Sequence, residues 1–487
     1  MHVPPPTAAA PGAPAVPVPA LGTLRRVFLV GLEGTGMSGA ALLLRARGLE
    51  VDGSDRAPGA RCQALAREGV RVHAGEALGD LPAGLDLLVR SAAVPLSHPQ
   101  VAAAAARGVP VVTYAQVLGA LMEGQQAICV AGCHGKTTTS SLVASALLHA
   151  GRDPSFVIGG TVHATGTGAR AGRGTSFVAE SCEFDRSFHQ HRPTVAIVTN
   201  VDEDHLDYYR DLSEIQESFR VFAARLPAHG VLVVHEDCAD VFRRDARLKA
   251  RLETYGTRGE SRWTVGPVRP RGDGPGIAFD VARDGERHGE LRLPLLGVHN
   301  ALNATAALAA LEAVGLSFDE ARAGLAAFAG VGRRLEQVAD LRGVLVLDDY
   351  GHHPAEIRAV LEALRSRHAG RRIVVLFQPH QASRTRCLLA DFAAALAGAD
   401  AAWLPPIYFA RDSEEERRSV TSGDLAAAVR AAGGQADTVE GLEALAAHAL
   451  AHVRPGDVLV TMGAGDVDTV ARRIAQGIRD GLAPQLR

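Results

Sequence analysis

The sequence predicts an α/β protein with three domains, and three observations support this fold class. The chain has 487 residues, and globular domains hold roughly 100–200 residues each. Short apolar, β-branched runs alternate with Ala- and Leu-rich stretches, the pattern of parallel sheets covered by helices. Two strand–Gly loop–helix units, near residues 27–47 and 127–150, each begin a sheet, and the strands after residue 343 indicate a third.

The predicted strands are nearly continuous apolar runs, as expected of strands buried on both faces. We place them at Val27–Val30, Leu85–Val89, Val111–Thr113, Ala127–Ala131, Phe177–Glu180, Val195–Asn200, Val231–Val234, Val344–Asp348, Ile373–Phe377 and Val458–Thr461. Helical stretches lie between many of them, for example Ser38–Arg47, Thr138–Ala150 and Ala304–Ala313.

The first 22 residues differ from the rest in composition. They hold seven of the 25 prolines and no Lys, Arg, Asp or Glu, which predicts a disordered Pro/Ala tail. They lack the basic start and unbroken apolar stretch of a secretory signal, and no later run reaches the ~18 apolar residues of a membrane helix. We therefore expect a tail over 1–22, domains over 23–122, 123–328 and 329–487, and a cytoplasmic protein without membrane insertion.

Charge and cysteine content exclude several classes of protein. The 51 basic residues nearly balance the 54 acidic ones, so no nucleic-acid partner is expected. Six scattered cysteines without a CxxC pair argue against a disulfide framework or a structural zinc site. Only two of the basic residues are lysines, Lys136 and Lys249. A lysine retained in so Arg-rich a chain is informative, because a planar guanidinium does not replace a compact ammonium everywhere.

The strongest motif runs from Ile128 to Thr139 and reads ICVAGCHGKTTT. A strand enters a Gly loop, and Lys136 and Thr137 then open a helix. In such a loop, backbone N–H groups cradle phosphates, the lysine reaches the β- and γ-phosphates and the hydroxyl ligates Mg²⁺. The strict GxxxxGK[ST] pattern has Val130 in place of its first glycine, but the strand and helix context is that of a P-loop.

The second motif follows the first strand and contains G-x-G-x-x-G as Gly34, Gly36 and Gly39. Asp55 lies near the offset of a ribose-binding acid. The glycines indicate that a diphosphate can approach the backbone. They do not distinguish a nicotinamide dinucleotide from a nucleotide sugar, and a purely structural turn remains an alternative.

Further polar clusters follow the predicted strands, where open α/β sheets bind ligands. An acidic group, Glu180–Asp185 with Thr199–Asp207, suits Mg²⁺ beside a triphosphate. The downstream clusters are Gly297–Asn303, Gly330–Arg334, Asp348–Pro354 and Gln378–Arg386. Taken one at a time, each of these clusters is compatible with an ordinary solvated turn.

Six of these blocks, in this order, resemble the Mur ligase superfamily of peptidoglycan synthesis over essentially the whole chain after residue 22. The resemblance implies an N-terminal Rossmann-like domain for a UDP-sugar, a central P-loop ATPase domain and a C-terminal Rossmann-like domain for an amino acid. It implies ligation of L-alanine to the carboxylate of UDP-N-acetylmuramate through an acyl phosphate, with ATP and Mg²⁺. A monomer or homodimer is expected.

Residue roles follow from the same resemblance. The implied catalytic residues are Lys136, His205, Arg333, Asp349 and His352. The implied ATP-binding residues are Gly132, Cys133, His134, Gly135, Lys136, Thr137, Thr138, Asn300 and Asn303. The implied metal ligands are Thr137, Glu180 and His205. The implied substrate-binding residues are Gly31, Gly34, Gly36, Met37, Ser38, Asp55, Ser91, Tyr350, His380 and Arg384. Those from the third domain and the hinge are expected to close over the reacting groups.

The chain departs from the family pattern at a few positions. Cys133 replaces a loop threonine, Cys182 falls within the acidic block, Glu76 replaces a histidine, and Gln381 and Ala382 replace an Arg-Tyr pair. The last change leaves the strictness for L-alanine over glycine or serine open. Some related ligases use a carbamylated lysine, but Lys249 is remote from every motif and none is predicted here.

Three alternatives share part of this evidence. A recycling ligase that joins a tripeptide to UDP-N-acetylmuramate would share the P-loop, metal and nucleotide blocks. A nicotinamide-dependent oxidoreductase would use the Gly34–Gly39 loop but leave the P-loop unexplained. A non-catalytic nucleotide-binding protein would not need the intact Gly135-Lys136-Thr137 sequence.

Overall fold

The computed structural model describes residues 16–204, 208–272, 274–410 and 412–486. Its strands form three sheets, and the chain groups into two compact units. The first unit holds the first sheet and most of the second, and the second unit begins its main segment at residue 330. Over the part of the chain that is described, every helix is too short or too polar to cross a lipid bilayer.

The first sheet is fully parallel, with strand order β3-β2-β1-β4-β5. This is a Rossmann-type order that reverses between β1 and β4, and the crevice for a ligand lies at the carboxyl ends of those strands. The strands are β1 (Arg26–Val30), β2 (Glu50–Asp55), β3 (Arg71–Ala74), β4 (Leu87–Arg90) and β5 (Val111–Thr113), and the helices are α1 (Thr35–Ala46), α2 (Ala60–Arg67), α3 (Pro99–Ala106) and α4 (Tyr114–Leu121).

The second sheet is long and mixed. Its order is β15-β13-β12-β11-β10-β6-β9-β7-β8, with β16 beside β15, and the run from β12 to β7 is parallel. The strands are β6 (Gln126–Ala131), β7 (Ser155–Val162), β8 (Thr167–Arg170), β9 (Ser176–Glu180), β10 (Val195–Val198), β11 (Val231–His235), β12 (Arg251–Gly256), β13 (Trp263–Val265), β14 (Arg269–Pro270), β15 (Ile277–Arg283) and β16 (Glu286–Leu293), and the helices are α5 (Lys136–His149), α6 (Leu212–Ala223), α7 (Asp240–Arg243), α8 (Val298–Ala313) and α9 (Phe318–Ala326).

The third sheet has the order β17-β18-β22-β19-β20-β21 and is parallel except for β17. Apolar clusters cover both of its faces, as a parallel sheet requires. The strands are β17 (Glu336–Leu341), β18 (Val344–Asp349), β19 (Ile373–Phe377), β20 (Ala401–Leu404), β21 (Ala436–Thr438) and β22 (Val458–Met462), and the helices are α10 (Pro354–Arg367), α11 (Ala382–Cys387), α12 (Leu389–Leu396), α13 (Glu414–Arg417), α14 (Ser422–Ala431), α15 (Gly441–His452) and α16 (Asp468–Arg479).

The predicted fold class is confirmed, and each of the ten predicted strands overlaps an observed one. Of the predicted tail, residues 1–15 lie outside the described residues. Residues 16–22 are not a free tail. The Gln116 Nε2 donates to the Val16 carbonyl over 2.8 Å, and Val18 and Leu21 pack against the core. The apolar side chains between the prolines, Val18 and Leu21, stabilise this segment by packing against the core.

Candidate functional site

The P-loop connects the carboxyl end of β6 to the amino end of α5, in the middle of the second sheet. Two of its glycines adopt left-handed φ angles, +131° at Gly132 and +81° at Gly135. A Cβ on Gly132 would lie 2.1 Å from the Thr199 Oγ1, and one on Gly135 would lie 2.8 Å from the Asn303 Oδ1. Both positions therefore require glycine for backbone angle and for space.

The Lys136 ammonium lies inside this loop. Its Nζ is 2.9 Å from the Glu183 Oε2 and 2.5 Å from the Gly132 carbonyl oxygen. Only 13% of the Lys136 side chain and 2% of the Glu183 side chain are exposed. Burial alone would lower the pKa of Lys136, but the adjacent Glu183 carboxylate outweighs it and raises that pKa. The lysine is therefore charged, and Glu183 and the loop carbonyl hold it within the loop from which a P-loop lysine reaches bound phosphates.

The segment after β10 braces the same loop. The Asn200 Oδ1 accepts from the His134 backbone N–H over 2.9 Å, and the Thr199 Oγ1 donates to the His134 carbonyl over 2.5 Å. The Cys133 side chain is buried and its Sγ lies 3.3 Å from the Asp202 backbone nitrogen. Because Cys133 faces the protein interior, its replacement of a threonine leaves the phosphate-facing backbone unchanged.

The predicted metal ligands are described only in part. Thr137 lies in the first turn of α5, and Glu180 ends the neighbouring strand β9. The Glu180 Oε2 accepts from the Gly159 backbone N–H over 2.8 Å, which fixes its carboxylate. His205 lies outside the described residues. Among those that are described, no group of three His, Cys, Asp or Glu side chains is arranged to hold a metal ion.

The N-terminal glycine loop follows β1 and opens α1. Gly31 has a φ of +94° and lies against Ser91, whose Cβ would be 3.3 Å from a Cβ on Gly31. Gly39 lies where α1 packs on β7 and β8. A Cβ on Gly39 would lie only 3.0 Å from the Ala169 Cβ. The third glycine of the motif thus permits close helix–strand packing, its usual role. Met37 is buried beneath the loop, and the Ser38 Oγ donates to the Thr35 carbonyl.

A cleft of ≈ 330 Å³ opens beside this loop, at the carboxyl ends of β1 and β4. Gly31, Asp55 and Glu76 are among the residues that line it. The Asp55 carboxylate accepts from the Glu33 and Ala57 backbone N–H groups, each over 2.9 Å. The cleft lies at the point where the strand order reverses, as expected for a nucleotide site.

Glu33 is a residue of this loop that the sequence analysis did not single out. Its carboxylate accepts from the backbone N–H groups of Gly59, Arg61 and Cys62, at the start of α2. Burial alone would raise the pKa of Glu33, but these backbone donors outweigh it and lower that pKa. Glu33 thus caps α2 and ties it to the glycine loop.

In the second unit, Asp349 ends β18 and is buried. Its carboxylate accepts from the Gly351 backbone N–H over 2.7 Å and from the Leu335 backbone N–H over 2.8 Å. Burial raises the pKa of Asp349 to about 6, although both donors and the charge of Arg334 oppose the rise. Asp349 therefore takes up a proton at a higher pH than an ordinary aspartate does.

Three more of the predicted side chains in this unit lie close together. The His352 ring is 5.4 Å from the Tyr350 ring and 5.9 Å from the His380 ring, between centroids. His380 stacks on Tyr408 at 5.5 Å, a partner that no sequence motif indicated. Arg384 lies in α11, four residues after His380.

Arg333 is engaged within its own unit. Its Nε donates to the Asp348 carboxylate over 3.2 Å, and its Nη2 donates to the Gly463 carbonyl over 2.6 Å. The guanidinium also lies over the Tyr350 ring, at 5.0 Å. Arg333 thus ties the loop after β22 to the end of β18, which is a positioning role.

The altered block after β19 points inward. Gln381 is 3% exposed and Ala382 is fully buried, and the Gln381 backbone adopts a φ of +67°. The Gln381 backbone N–H donates to the Tyr408 carbonyl over 2.9 Å. The residue in place of the family's arginine therefore stabilises the turn that presents His380 and Arg384.

The remaining predicted residues belong to the adenine block. Asn303 lies in α8 beside Gly135, as noted above. Asn300 belongs to the second unit, where its Nδ2 donates to the Leu296 carbonyl over 2.7 Å. Lys249 lies exposed before β12, and its Nζ donates to the Ala246 carbonyl over 2.9 Å.

The glycine loop after β6, with its buried Lys136–Glu183 pair, defines a P-loop protein. The strand order of the first sheet adds a Rossmann-like nucleotide domain. Comparison with known families gives three matches along the chain. The family described as "Mur ligase family, catalytic domain" matches residues 26–126, the Mur ligase middle domain matches 130–311, and the "Mur ligase, glutamate ligase domain" matches 333–465.

Individual relatives span nearly the whole chain. UDP-N-acetylmuramate–L-alanine ligase of Symbiobacterium thermophilum is 42% identical over 93% of this chain and 95% of its own, and that of Kineococcus radiotolerans is 44% identical over 93% and 96%. The crystal structure of UDP-N-acetylmuramate–alanine ligase from Thermotoga maritima superposes with a TM-score of 0.77, at 26% identity, over 94% of this chain and 99% of its own. The chain belongs to the Mur ligase family.

Proposed function

We propose that the protein joins L-alanine to the carboxylate of UDP-N-acetylmuramate at the expense of ATP, forming ADP and phosphate in peptidoglycan precursor synthesis. The observation that carries this proposal is identity of 42–44% to ligases of that name over 93% of the chain. The UDP-sugar is assigned to domain 23–122, ATP to 123–328 and the amino acid to 329–487, in the cytoplasm.

The reaction has two steps whose atoms balance. The muramate carboxylate attacks the γ-phosphorus of ATP, so that an acyl phosphate forms and ADP leaves. The alanine amine then attacks the acyl carbon, loses a proton and expels inorganic phosphate. Both steps place negative charge on phosphate oxygens, and catalysis of phosphoryl transfer relies on positioning and charge stabilisation.

The described residues of the P-loop suit this task. Lys136 supplies a fixed positive charge, and the backbone of Gly132–Thr138 supplies N–H donors at the amino end of α5. The left-handed glycines allow the loop backbone to turn closely against Thr199 and Asn303. Asn303, beside Gly135, is assigned to the adenine together with Asn300.

A magnesium ion fits the donor set of this loop. The Thr137 hydroxyl and the Glu180 carboxylate are oxygen ligands of the kind that Mg²⁺ prefers, and Mg²⁺ uses few protein ligands beside phosphates. His205 is assigned as a third ligand. When bound, the ion would neutralise charge on the transferred phosphoryl group.

Side chains of the C-terminal domain are assigned to the amino acid. Arg384 is the candidate for its carboxylate, since a guanidinium binds carboxylates bidentately. Tyr350, His352 and His380 lie together in the same unit and are assigned to the amine and to the proton that it loses. Asp349 and Arg333 hold this group in place.

The test is phosphate release from ATP with UDP-N-acetylmuramate and, in separate reactions, L-alanine, glycine, L-serine or the tripeptide L-alanyl-γ-D-glutamyl-meso-diaminopimelate. We expect release with L-alanine that requires the UDP-sugar, and weaker release with the two other small amino acids. A reaction without UDP-N-acetylmuramate is the control. Release with the tripeptide and none with L-alanine would replace this proposal by the recycling ligase.

A further inference from the structure

Tyr114 is a residue that neither the motifs nor the proposed mechanism uses. It is the first residue of α4, where a capping box between Thr113 and Gln116 fixes the helix start. Its ring lies directly against Gly36, the second glycine of the N-terminal loop. A Cβ on Gly36 would lie 2.7 Å from the Tyr114 Cζ and 3.0 Å from its hydroxyl oxygen. The ring thus fills the space that a side chain at position 36 would need.

The Tyr114 hydroxyl makes no hydrogen bond to any residue that the structure describes, and the side chain that carries it is only partly buried. Burial, with the nearby charge of Glu180, raises the pKa of Tyr114. The phenol therefore stays protonated at neutral pH and acts as a hydrogen-bond donor.

Its position links two predicted sites within the first unit. In a G-x-G-x-x-G loop the second glycine lets the backbone approach a pyrophosphate, and here that glycine is Gly36. Glu180, the candidate metal ligand, is an electrostatic neighbour of the same hydroxyl. No lysine or arginine lies among residues 31–39, so the loop itself offers phosphates only backbone and hydroxyl donors.

We propose that the Tyr114 hydroxyl donates a hydrogen bond to the diphosphate of the UDP-sugar and is a substrate-binding residue. This inference rests on the proposed function, because it takes the N-terminal loop as the UDP-sugar site. At the N-terminal loop, the Tyr114 hydroxyl would be the side-chain donor to phosphate oxygens. In the P-loop, the Lys136 ammonium has that role.

The test is Tyr114→Phe, which keeps the ring against Gly36 and removes only the hydroxyl. Calorimetry without ATP gives the Kd of UDP and of UDP-N-acetylmuramate for both proteins. We expect both dissociation constants to rise about 10-fold, the effect of losing a hydrogen bond to a charged group. In turnover, the KM for UDP-N-acetylmuramate should rise while kcat and the KM for ATP stay unchanged.

Tyr208→Phe is the matched control, because that hydroxyl bonds to Asp185 in the central domain; its UDP affinity should equal that of the unmodified chain. Unchanged affinity for both ligands in Tyr114→Phe would overturn the proposal. Weaker binding of UDP-N-acetylmuramate with unchanged binding of UDP would also overturn it, because the contact would then be with the sugar. An unmodified chain that binds neither ligand would reject the proposed function itself.

Discussion

The two glycine loops of the first unit have the same local architecture and opposite electrostatics. Each follows a central parallel strand and opens a helix, α1 in one case and α5 in the other. In the P-loop, the charge within the loop is the Lys136 ammonium, held by Glu183. In the N-terminal loop, the charges are the carboxylates of Glu33 and Asp55, held by backbone N–H groups.

This difference explains why a glycine pattern alone does not identify a ligand. Glycines supply only room and backbone angle, which any diphosphate or triphosphate can use. The lysine adds stabilisation of charge that develops during phosphoryl transfer, which a reactive site needs. A loop without a cation can bind a diphosphate through its backbone N–H groups. Its carboxylates, Glu33 and Asp55, accept hydrogen bonds from neighbouring backbone and so fix its conformation. The first loop thus suits a substrate that is held, and the second suits one that reacts.

Lys136→Ala should have the largest effect on activity. It removes the cation that distinguishes the P-loop from the N-terminal loop. We expect kcat for phosphate release to fall by about 10³-fold, because a preorganised charge opposite the transferring group is lost. UDP affinity, measured by calorimetry, should not change. Full turnover in this variant would reject the role of the P-loop lysine, and loss of UDP binding would indicate a general folding defect.

Glu183→Gln should have the next largest effect and tests whether the acid is needed to hold the lysine. It leaves the Lys136 ammonium buried without its carboxylate, which costs about 3 kcal/mol of unfolding free energy. Urea unfolding of the full chain measures the loss. Glu217→Gln removes one partner of the exposed pair with Arg247 and should change stability far less. Equal losses in the two variants would mean that burial of the Lys136–Glu183 pair has no energetic importance.

Glu33→Gln should have the smallest effect, confined to the N-terminal loop. One amide oxygen cannot accept all three backbone N–H groups, and losing a helix cap costs about 1 kcal/mol. Because the pKa of Glu33 is lowered in the folded protein, its contribution is present above the ordinary Glu value of about 4.3 and is lost as the pH falls below it.

The melting temperatures of the unmodified chain and of Glu33→Gln should therefore differ at pH 7, and the difference should shrink only as the pH falls below about 4.3. A difference that stays the same above and below that pH would mean that the Glu33 carboxylate charge does not stabilise α2. The KM for ATP should remain unchanged, which separates this loop from the P-loop.

The sequence was sufficient for ten strands of the sheets and for the backbone of both loops. Buried parallel strands such as Ile373–Phe377 are apolar without interruption, and left-handed positions such as Gly132 and Gly135 admit little but glycine. These features are local, so a single segment carries them. Strands with partly exposed positions, such as β3 and β17, were not predicted, because they lack a continuous apolar run. The packed segment after residue 15 was also not predicted, because a few apolar residues among prolines give no periodic signal.

The partners of the site residues were not predictable in the same way. Glu183 is 47 residues from Lys136 along the chain, and Tyr114 is 78 residues from Gly36. Such pairs depend on which strands are neighbours and on where each helix starts. Tyr408 beside His380 is of the same kind, since Tyr408 belongs to no motif. Asp348 does begin a motif, but nothing in that motif indicates Arg333 as its partner.

The two lysines of this chain have very different surroundings, and this has a practical consequence. Lys249 is exposed, whereas Lys136 is enclosed and ion-paired with a raised pKa. Amine-reactive esters attack the neutral, accessible form of a lysine, so acylation at mild pH should fall on Lys249 and spare Lys136. A fluorophore or surface tether can thus be attached through the Lys249 amine, far in sequence from the P-loop, without engineering a cysteine.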